Sequence, residues 1–253
     1  MASIRGSSSV STDRDSLEID RRAASWCSRA FFAACPVYPI LDAGVFGDRD
    51  PGPAIRALGT LGIRVVQLRG KGLPGGAFSS WVSAAMRGAS GGGVRVVVND
   101  RADIALLARA DGVHLGQEDL SVRTARRLLG RGAVIGLSTH TREELRLARN
   151  ERADYLAVGP VFETSTKADS APVVSLSGVR EARRLHDGPL VAIGGIRRGR
   201  IGPVLAAGAD AAAVISAVAG VSPGEIAEKA RALLAEVRLR PQDGSKASST
   251  TSH

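Results

Sequence analysis

Residues 109–116, RADGVHLG, place a four-residue apolar run, Gly112–Leu115, directly after an Ala-Asp pair. The same order returns as RADYLAVG at 152–159 and in weaker form as GADAAAVI at 208–215. Each copy reads as Ala-Asp followed by a run of strand length, too short for a helix. Further runs of this kind lie at 37–41 (VYPIL), 63–68 (IRVVQL), 94–98 (VRVVV), 133–137 (AVIGL) and 190–193 (LVAI). With 112–115, 155–158 and 211–215 they make eight, and the repeated stretches open the fourth, sixth and eighth.

A helix-like segment follows every run, at roughly 52–61, 76–89, 101–109, 121–130, 141–151, 175–186, 198–207 and 223–237. Ser121, and Thr141 with Glu144 three residues on, are N-terminal capping signals. Strands alternating with helices mean parallel pairing with crossover helices. Eight such units in ~200 residues predict an α/β fold, a single (β/α)8 TIM barrel spanning 36–238. Asp111, Asp154 and Asp210 then stand at strand N-termini, on the face of such a barrel that serves stability. Residues 1–35 show no sustained period and read as a flexible N-terminal extension; Asp13, Asp15, Glu18 and Asp20 argue against a transit peptide. Residues 239–253, Ser/Thr/Gly-rich from Pro241 on, read as a disordered C-terminal tail.

The composition sets limits on function. The 253 residues are 44% hydrophobic and 4% aromatic, enough for one substantial α/β core. No run of ~18 apolar residues suggests a membrane span. Cys27 and Cys35 lie outside the patterned segments without zinc or redox spacing, so a reduced, cytoplasmic protein is expected. The net charge of +9 is read mainly as solvated helix faces, with arginines at helical spacing in Arg123, Arg126 and Arg127 and in Arg142, Arg146 and Arg149. No basic tract interleaved with aromatics points to nucleic acid. The partners expected are small molecules, with no nucleic acid and no membrane; a homo-oligomer is left open.

In a barrel, function gathers at strand C-terminal ends. Asp42 follows the first strand, with Tyr38 inside that strand, and Gln67, Arg69 and Lys71 belong to the end of the second. Alternation puts the latter three on one face. Asn99 and Asp100 follow the third run, and His114, Gln117, Glu118 and Asp119 belong to the fourth. Ser138, Thr139 and His140 follow the fifth; Thr164, Ser165, Thr166 and Lys167 lie in the long loop after the sixth. Gly194 and Gly195 follow the seventh, and Ile215 and Ser216 close the eighth. The cations Arg69, Lys71 and Lys167 would converge with the carboxylates Asp100 and Asp119. That is either an ion-pair network or a site for a polyphosphate with Mg²⁺, which takes one or two carboxylates beside phosphate oxygens and water. The Gly194-Gly195 turn and Ser216 suit a second, backbone-lined phosphate region.

The ordered set QLRGK, VNDRAD, DGVHLGQEDL, GLSTHT, VGPVFETSTKAD, VAIGGI and GADAAAVIS resembles the thiamine-phosphate synthase family, from about Val37 to Val237. That resemblance implies condensation of a hydroxymethylpyrimidine pyrophosphate with a thiazole phosphate, or its carboxylate, releasing pyrophosphate through a pyrimidine cation. It implies that Arg69, Lys71, Asn99 and Lys167 hold the pyrophosphate and that Asp100 and Asp119 bind Mg²⁺. Gln67, Tyr38 and His114 would contact the pyrimidine, with Ser138 beside the reacting groups. Thr164 and Thr166 would line the thiazole region, and Gly195, Ile215 and Ser216 would receive its phosphate. His140 is left open between loop packing and catalysis. Ala168 departs from the family's pattern, which commonly has a second charge after the lysine. Two alternatives stand beside this one: a thiazole tautomerase-like paralogue and a non-catalytic binding barrel.

Overall fold

The computed structural model describes residues 28–47, 49–164 and 172–238. Eight parallel strands close into a barrel in chain order, β1 to β8, with β1 also pairing β8. They are β1 (Val37–Asp42), β2 (Val65–Arg69), β3 (Arg95–Asn99), β4 (Gly112–Leu115), β5 (Val134–Thr139), β6 (Tyr155–Val158), β7 (Leu190–Ile193) and β8 (Ala211–Val214). The helices are α1 (Arg29–Ala34), α2 (Ala43–Phe46), α3 (Gly52–Thr60), α4 (Gly75–Ala89), α5 (Ala102–Leu107), α6 (Val122–Leu129), α7 (Arg142–Ala148), α8 (Ser175–Leu185), α9 (Ile201–Ala206) and α10 (Pro223–Arg238). The (β/α)8 expectation is met.

Four strands run further than their apolar residues do. Asp42, Arg69, Asn99, Ser138 and Thr139 are the last residues of β1, β2, β3 and β5. A polar side chain ends a hydrophobic run but not a hydrogen-bonded ladder. These residues therefore project from strands, on positions fixed by the pleat.

Alternation divides the strand residues between two cores. One set, including Leu41, Val66, Leu68, Val96, Val98, Val113, Ile135, Leu156 and Val214, packs outward against the helices. The other fills the barrel: Tyr38, Ile40, Val65, Val97, Val134, Tyr155, Ala157, Val191, Ile193, Ala211 and Ala213. Several of these inward residues are small. The space is taken up by the rings of Tyr38 and Tyr155 and by Phe32 of α1, which is fully buried. Phe32 lies 5.4 Å from the Tyr155 ring and 6.1 Å from Tyr38, centroid to centroid. Residues 28–35, placed by sequence in the flexible extension, are thus part of the barrel, and Cys35 is buried in the same cluster. A single six-residue helix is too short to show a period. Cys27, the rest of the extension and the tail lie outside the described residues.

The N-terminal ends of the strands repeat one device. The Asp111 carboxylate accepts the Val96 N–H of β3 at 2.9 Å and pairs with Arg95 at 2.8 Å. Asp154 accepts the Ile135 N–H of β5 at 2.6 Å and pairs with Arg126 at 2.5 Å. Asp210 accepts the Leu190 N–H of β7 at 2.9 Å and binds Arg29 and Arg183, each at 3.0 Å. Each aspartate opens one strand and ties down the start of the strand before it. Arg126 is therefore not part of a solvated face, although Arg123 and Arg127 are exposed.

Thr141 caps α7 by accepting the Glu144 N–H at 3.1 Å, and Glu144 reaches back to the His140 N–H at 2.6 Å. That reciprocal bonding is close to a capping box, shifted by one residue. Among the described residues, no helix is long and apolar enough to cross a membrane.

Candidate active site

At the C-terminal mouth the inward positions become polar. Register sets Asp42 of β1 directly beside Arg69 of β2. Their side chains form an ion pair, and each residue is only 8% exposed. Asp42 also accepts the Gly44 N–H at 2.8 Å, capping α2. Arg69 thus enters the site with a counter-charge at its back. Lys71, two residues past the strand, is exposed.

One layer deeper runs a chain of polar side chains. The Gln67 amide donates to the Tyr38 hydroxyl at 3.4 Å, and the Tyr38 and Tyr155 hydroxyls are 3.2 Å apart. Tyr155 meets His114 Nδ1 at 2.9 Å, and His114 Nε2 meets the Ser138 hydroxyl at 2.9 Å. The histidine and tyrosine rings stack at 5.4 Å and 23°. Gly136 makes room for that stack, since a Cβ there would lie 2.1 Å from the Tyr155 ring and 2.5 Å from His114 Nδ1. Among the described residues no buried side-chain polar atom lacks a partner, so the chain can be buried without an orphaned group. Tyr38, Gln67, His114 and Ser138 are brought together as the sequence suggests. Tyr155, which links them, was missed because it sits in the run YLAV and reads as core. The glycine on the adjacent strand was the available signal.

The acidic groups form a pair on the next part of the rim. Asp100 follows β3 with φ of 63°, and its N–H bonds the His114 carbonyl at 2.8 Å. A non-glycine residue in the left-handed region costs energy and is tolerated best by Asp or Asn. Burial, together with the Asp119 carboxylate within hydrogen-bonding reach, pushes the Asp100 carboxyl up to about 6, against the opposing pull of Lys71 and Arg69. Asp119 accepts the Gly116 N–H at 2.6 Å. Two crowded carboxylates call for a proton or a cation between them. Among the described residues no cluster of three or more His, Cys, Asp or Glu could hold a metal. The available donors are two hard carboxylates, which suits Mg²⁺ completed by phosphate oxygens and water. Asn99 is half-buried at the end of β3. Glu118 is exposed beside Asp119.

The opposite side is built from backbone. Gly194 and Gly195 have φ of 100° and 61°. A Cβ on Gly194 would lie 2.5 Å from Pro160, and one on Gly195 2.5 Å from the Glu163 carbonyl. The loop after β6 therefore packs straight onto this turn, which is a reason for both glycines besides access for a ligand. Ile215 and the exposed Ser216 start a turn after β8, with Val218 N–H bonding the Ile215 carbonyl at 3.2 Å. Thr164 is half-buried in the loop after β6; Ser165, Thr166, Lys167 and Ala168 lie outside the described residues. His140 donates from its backbone to Glu144, and its Nδ1 meets the Gly159 carbonyl at 2.6 Å, which ties the ring to the start of that loop.

The sequence model of the family described as thiamine monophosphate synthase matches residues 37–218. The chain belongs to that family. A thiamine-phosphate synthase of Anaeromyxobacter dehalogenans is 44% identical over 183 residues, covering 72% of this chain and 82% of the relative. A thiamine biosynthesis bifunctional protein ThiM/ThiE of Symbiobacterium thermophilum is 46% identical over 189 residues, 74% of this chain; that match spans only 39% of the bifunctional protein's length. Among solved structures, the thiamine phosphate pyrophosphorylase of Pyrococcus furiosus superposes with a TM-score of 0.72 at 30% identity, covering 82% of this chain and 97% of that one. Membership makes the chain an enzyme of the transferase class. The thiamine monophosphate synthase match spans every strand of the barrel and the turn after β8.

Proposed function

We propose that this enzyme joins 4-amino-2-methyl-5-hydroxymethylpyrimidine pyrophosphate to 4-methyl-5-hydroxyethylthiazole phosphate, or its carboxylate, giving thiamine phosphate and pyrophosphate with Mg²⁺ bound. The observation that carries this reading is the Asp100–Asp119 pair, set within electrostatic reach of Arg69 and Lys71. Two carboxylates and two cations at one rim match a metal-bound pyrophosphate better than a closed ion-pair network, because Arg69 already has Asp42.

Asp100 and Asp119 would hold the ion, which when bound offsets charge on the leaving pyrophosphate. Arg69, Lys71, Asn99 and Lys167 would bind the pyrophosphate oxygens. In the reaction the pyrimidine methylene C–O bond breaks and its electron pair leaves with pyrophosphate. The thiazole nitrogen lone pair then forms the new C–N bond to that carbon. Preorganised cations stabilise the charge developing on the leaving group. Tyr38, Gln67 and His114 would orient the pyrimidine, and Ser138 would act as a positioning hydroxyl. Thr164, Thr166, Gly195, Ile215 and Ser216 would seat the thiazole phosphate. Burial of the site's inner wall keeps water from the cation before the nitrogen reaches it.

The test is a coupling assay with purified full-length chain and both precursors, following thiamine phosphate and pyrophosphate together. Product in equal amounts, lost with chelator and restored by Mg²⁺, is expected. No product at saturating substrates and metal would end this reading, and turnover undiminished by chelator would end its metal part.

A further inference from the structure

The Gly194-Gly195 turn is held by more than its neighbours in sequence. The Phe162 N–H donates to the Gly194 carbonyl at 3.1 Å, and Arg200 Nη1 donates to the Gly195 carbonyl at 2.8 Å. The Arg200 guanidinium also lies over the Phe162 ring, 4.5 Å from its centroid. One cation therefore touches both the turn after β7 and the loop after β6. Its own root is anchored. Glu236 of α10 accepts the Gly199 N–H at 2.8 Å and the Gly202 N–H at 3.2 Å, on either side of Arg200.

The orientation of this turn has a chemical consequence. A trans peptide points its C=O and N–H in opposite directions. With both glycine carbonyls engaged by Phe162 and Arg200, the N–H groups of Gly195 and Ile196 point away from those partners. Neither N–H has an acceptor among the described residues. Adjacent N–H groups at a turn of positive φ form an anion-binding concavity.

We propose that Arg200 is a positioning residue for the thiazole-phosphate end of the reaction. By holding the Gly195 carbonyl and stacking on Phe162, it fixes the peptide orientation that presents the Gly195 and Ile196 N–H groups, and it holds Phe162 against that turn. Arg200 acts through backbone and loop rather than by touching the reacting atoms. The inference rests on the synthase reading of the site.

The experiment measures steady-state constants for both substrates in the parent, Arg200→Ala, Arg200→Lys and Phe162→Leu, with melting curves for each. Arg200→Ala should raise KM for thiazole phosphate about tenfold, the loss expected for one charged hydrogen bond with its stacking contact. KM for the pyrimidine pyrophosphate should stay within about twofold, since Arg69, Lys71, Asp100 and Asp119 lie across the same mouth from Arg200 and only Lys167 of its proposed ligands belongs to the loop after β6. Arg200→Lys should recover part of the loss, because an ammonium can reach the carbonyl but cannot stack as a plane. Phe162→Leu should shift the same constant in the same direction by about threefold, from loss of the cation–π contact alone. An unchanged thiazole-phosphate KM in Arg200→Ala, or a parallel rise of both KM values, overturns the proposal. If Arg200→Ala does not fold, the Lys and Leu variants decide on the same criterion. A parent that makes no product overturns the synthase reading and this inference together; an active parent with insensitive variants overturns this inference alone.

Discussion

Arg69→Ala would remove a proposed phosphate ligand and, with it, the counter-charge of a buried carboxylate. The structure predicts a loss of stability as well as of turnover. Asp42 and Arg69 are each 8% exposed and joined in an ion pair. Removing one partner of a buried pair costs about 3–5 kcal/mol, because the other is left charged and uncompensated. Asp42 keeps the Gly44 N–H at 2.8 Å, so the lower end, about 3 kcal/mol, applies. For a domain of this size each kcal/mol moves Tm by about 2–4 °C, giving a fall of roughly 6–12 °C. Asp42→Ala should cost a similar amount and also uncap α2. The double variant leaves no orphaned charge, so its loss should fall short of the sum by about 1–3 kcal/mol. Asp42→Asn, which keeps the arginine and the cap, should retain measurable turnover where Arg69→Ala does not. The assay is thermal and denaturant unfolding of the parent and the four variants beside the coupling rate. A Tm for Arg69→Ala within about 2 °C of the parent, or strict additivity in the cycle, would refute the argument that Asp42 and Arg69 act as one unit.

Two further outcomes follow from the same geometry. In metal-free protein the Asp100 carboxyl, raised to about 6 by burial and by Asp119, binds its proton more tightly folded than unfolded, so its stabilising contribution is full below about pH 4 and gone above about pH 6 to 7. Discounted for its position at a solvated rim, this is about 1 kcal/mol; the Tm gain from Asp100→Asn should therefore grow by a few degrees between pH 4 and pH 7, and a pH-independent difference would count against it. At the other end of the barrel, Asp210→Ala should cost about 3–5 kcal/mol, since it strips the acceptor from the Leu190 N–H and the partner from Arg29 and Arg183. Its turnover per folded molecule should match the parent's, and a selective loss of rate without loss of stability would contradict the division between the two faces.

Periodicity revealed the barrel because alternation and strand–helix order are local properties. The face shared by Gln67 and Arg69 followed from the pleat alone. Tyr155 did not, because an aromatic in an apolar run is indistinguishable from core until the neighbouring strand is aligned. Only then does Gly136 show the space its ring fills. Phe32 was hidden for a different reason: a six-residue helix is too short to show a period, and its place is set by the small residues inside the barrel.

Charge was the least legible quantity. Acidic and basic residues occur at both ends of these strands, and composition treats them alike. What separates them is satisfaction. Asp111, Asp154 and Asp210 each have a backbone N–H and an arginine within 3.0 Å, so their charge is already answered. Asp42 and Arg69 answer each other. Asp100 and Asp119 instead face one another, with cations near but not paired to them, and burial together with Asp119 raises the Asp100 pKa. A folded chain tolerates such crowding where a ligand relieves it. The rim that leaves charge unbalanced is therefore the one proposed to receive a charged partner, and the balanced rim, with its aspartates already answered, serves the scaffold.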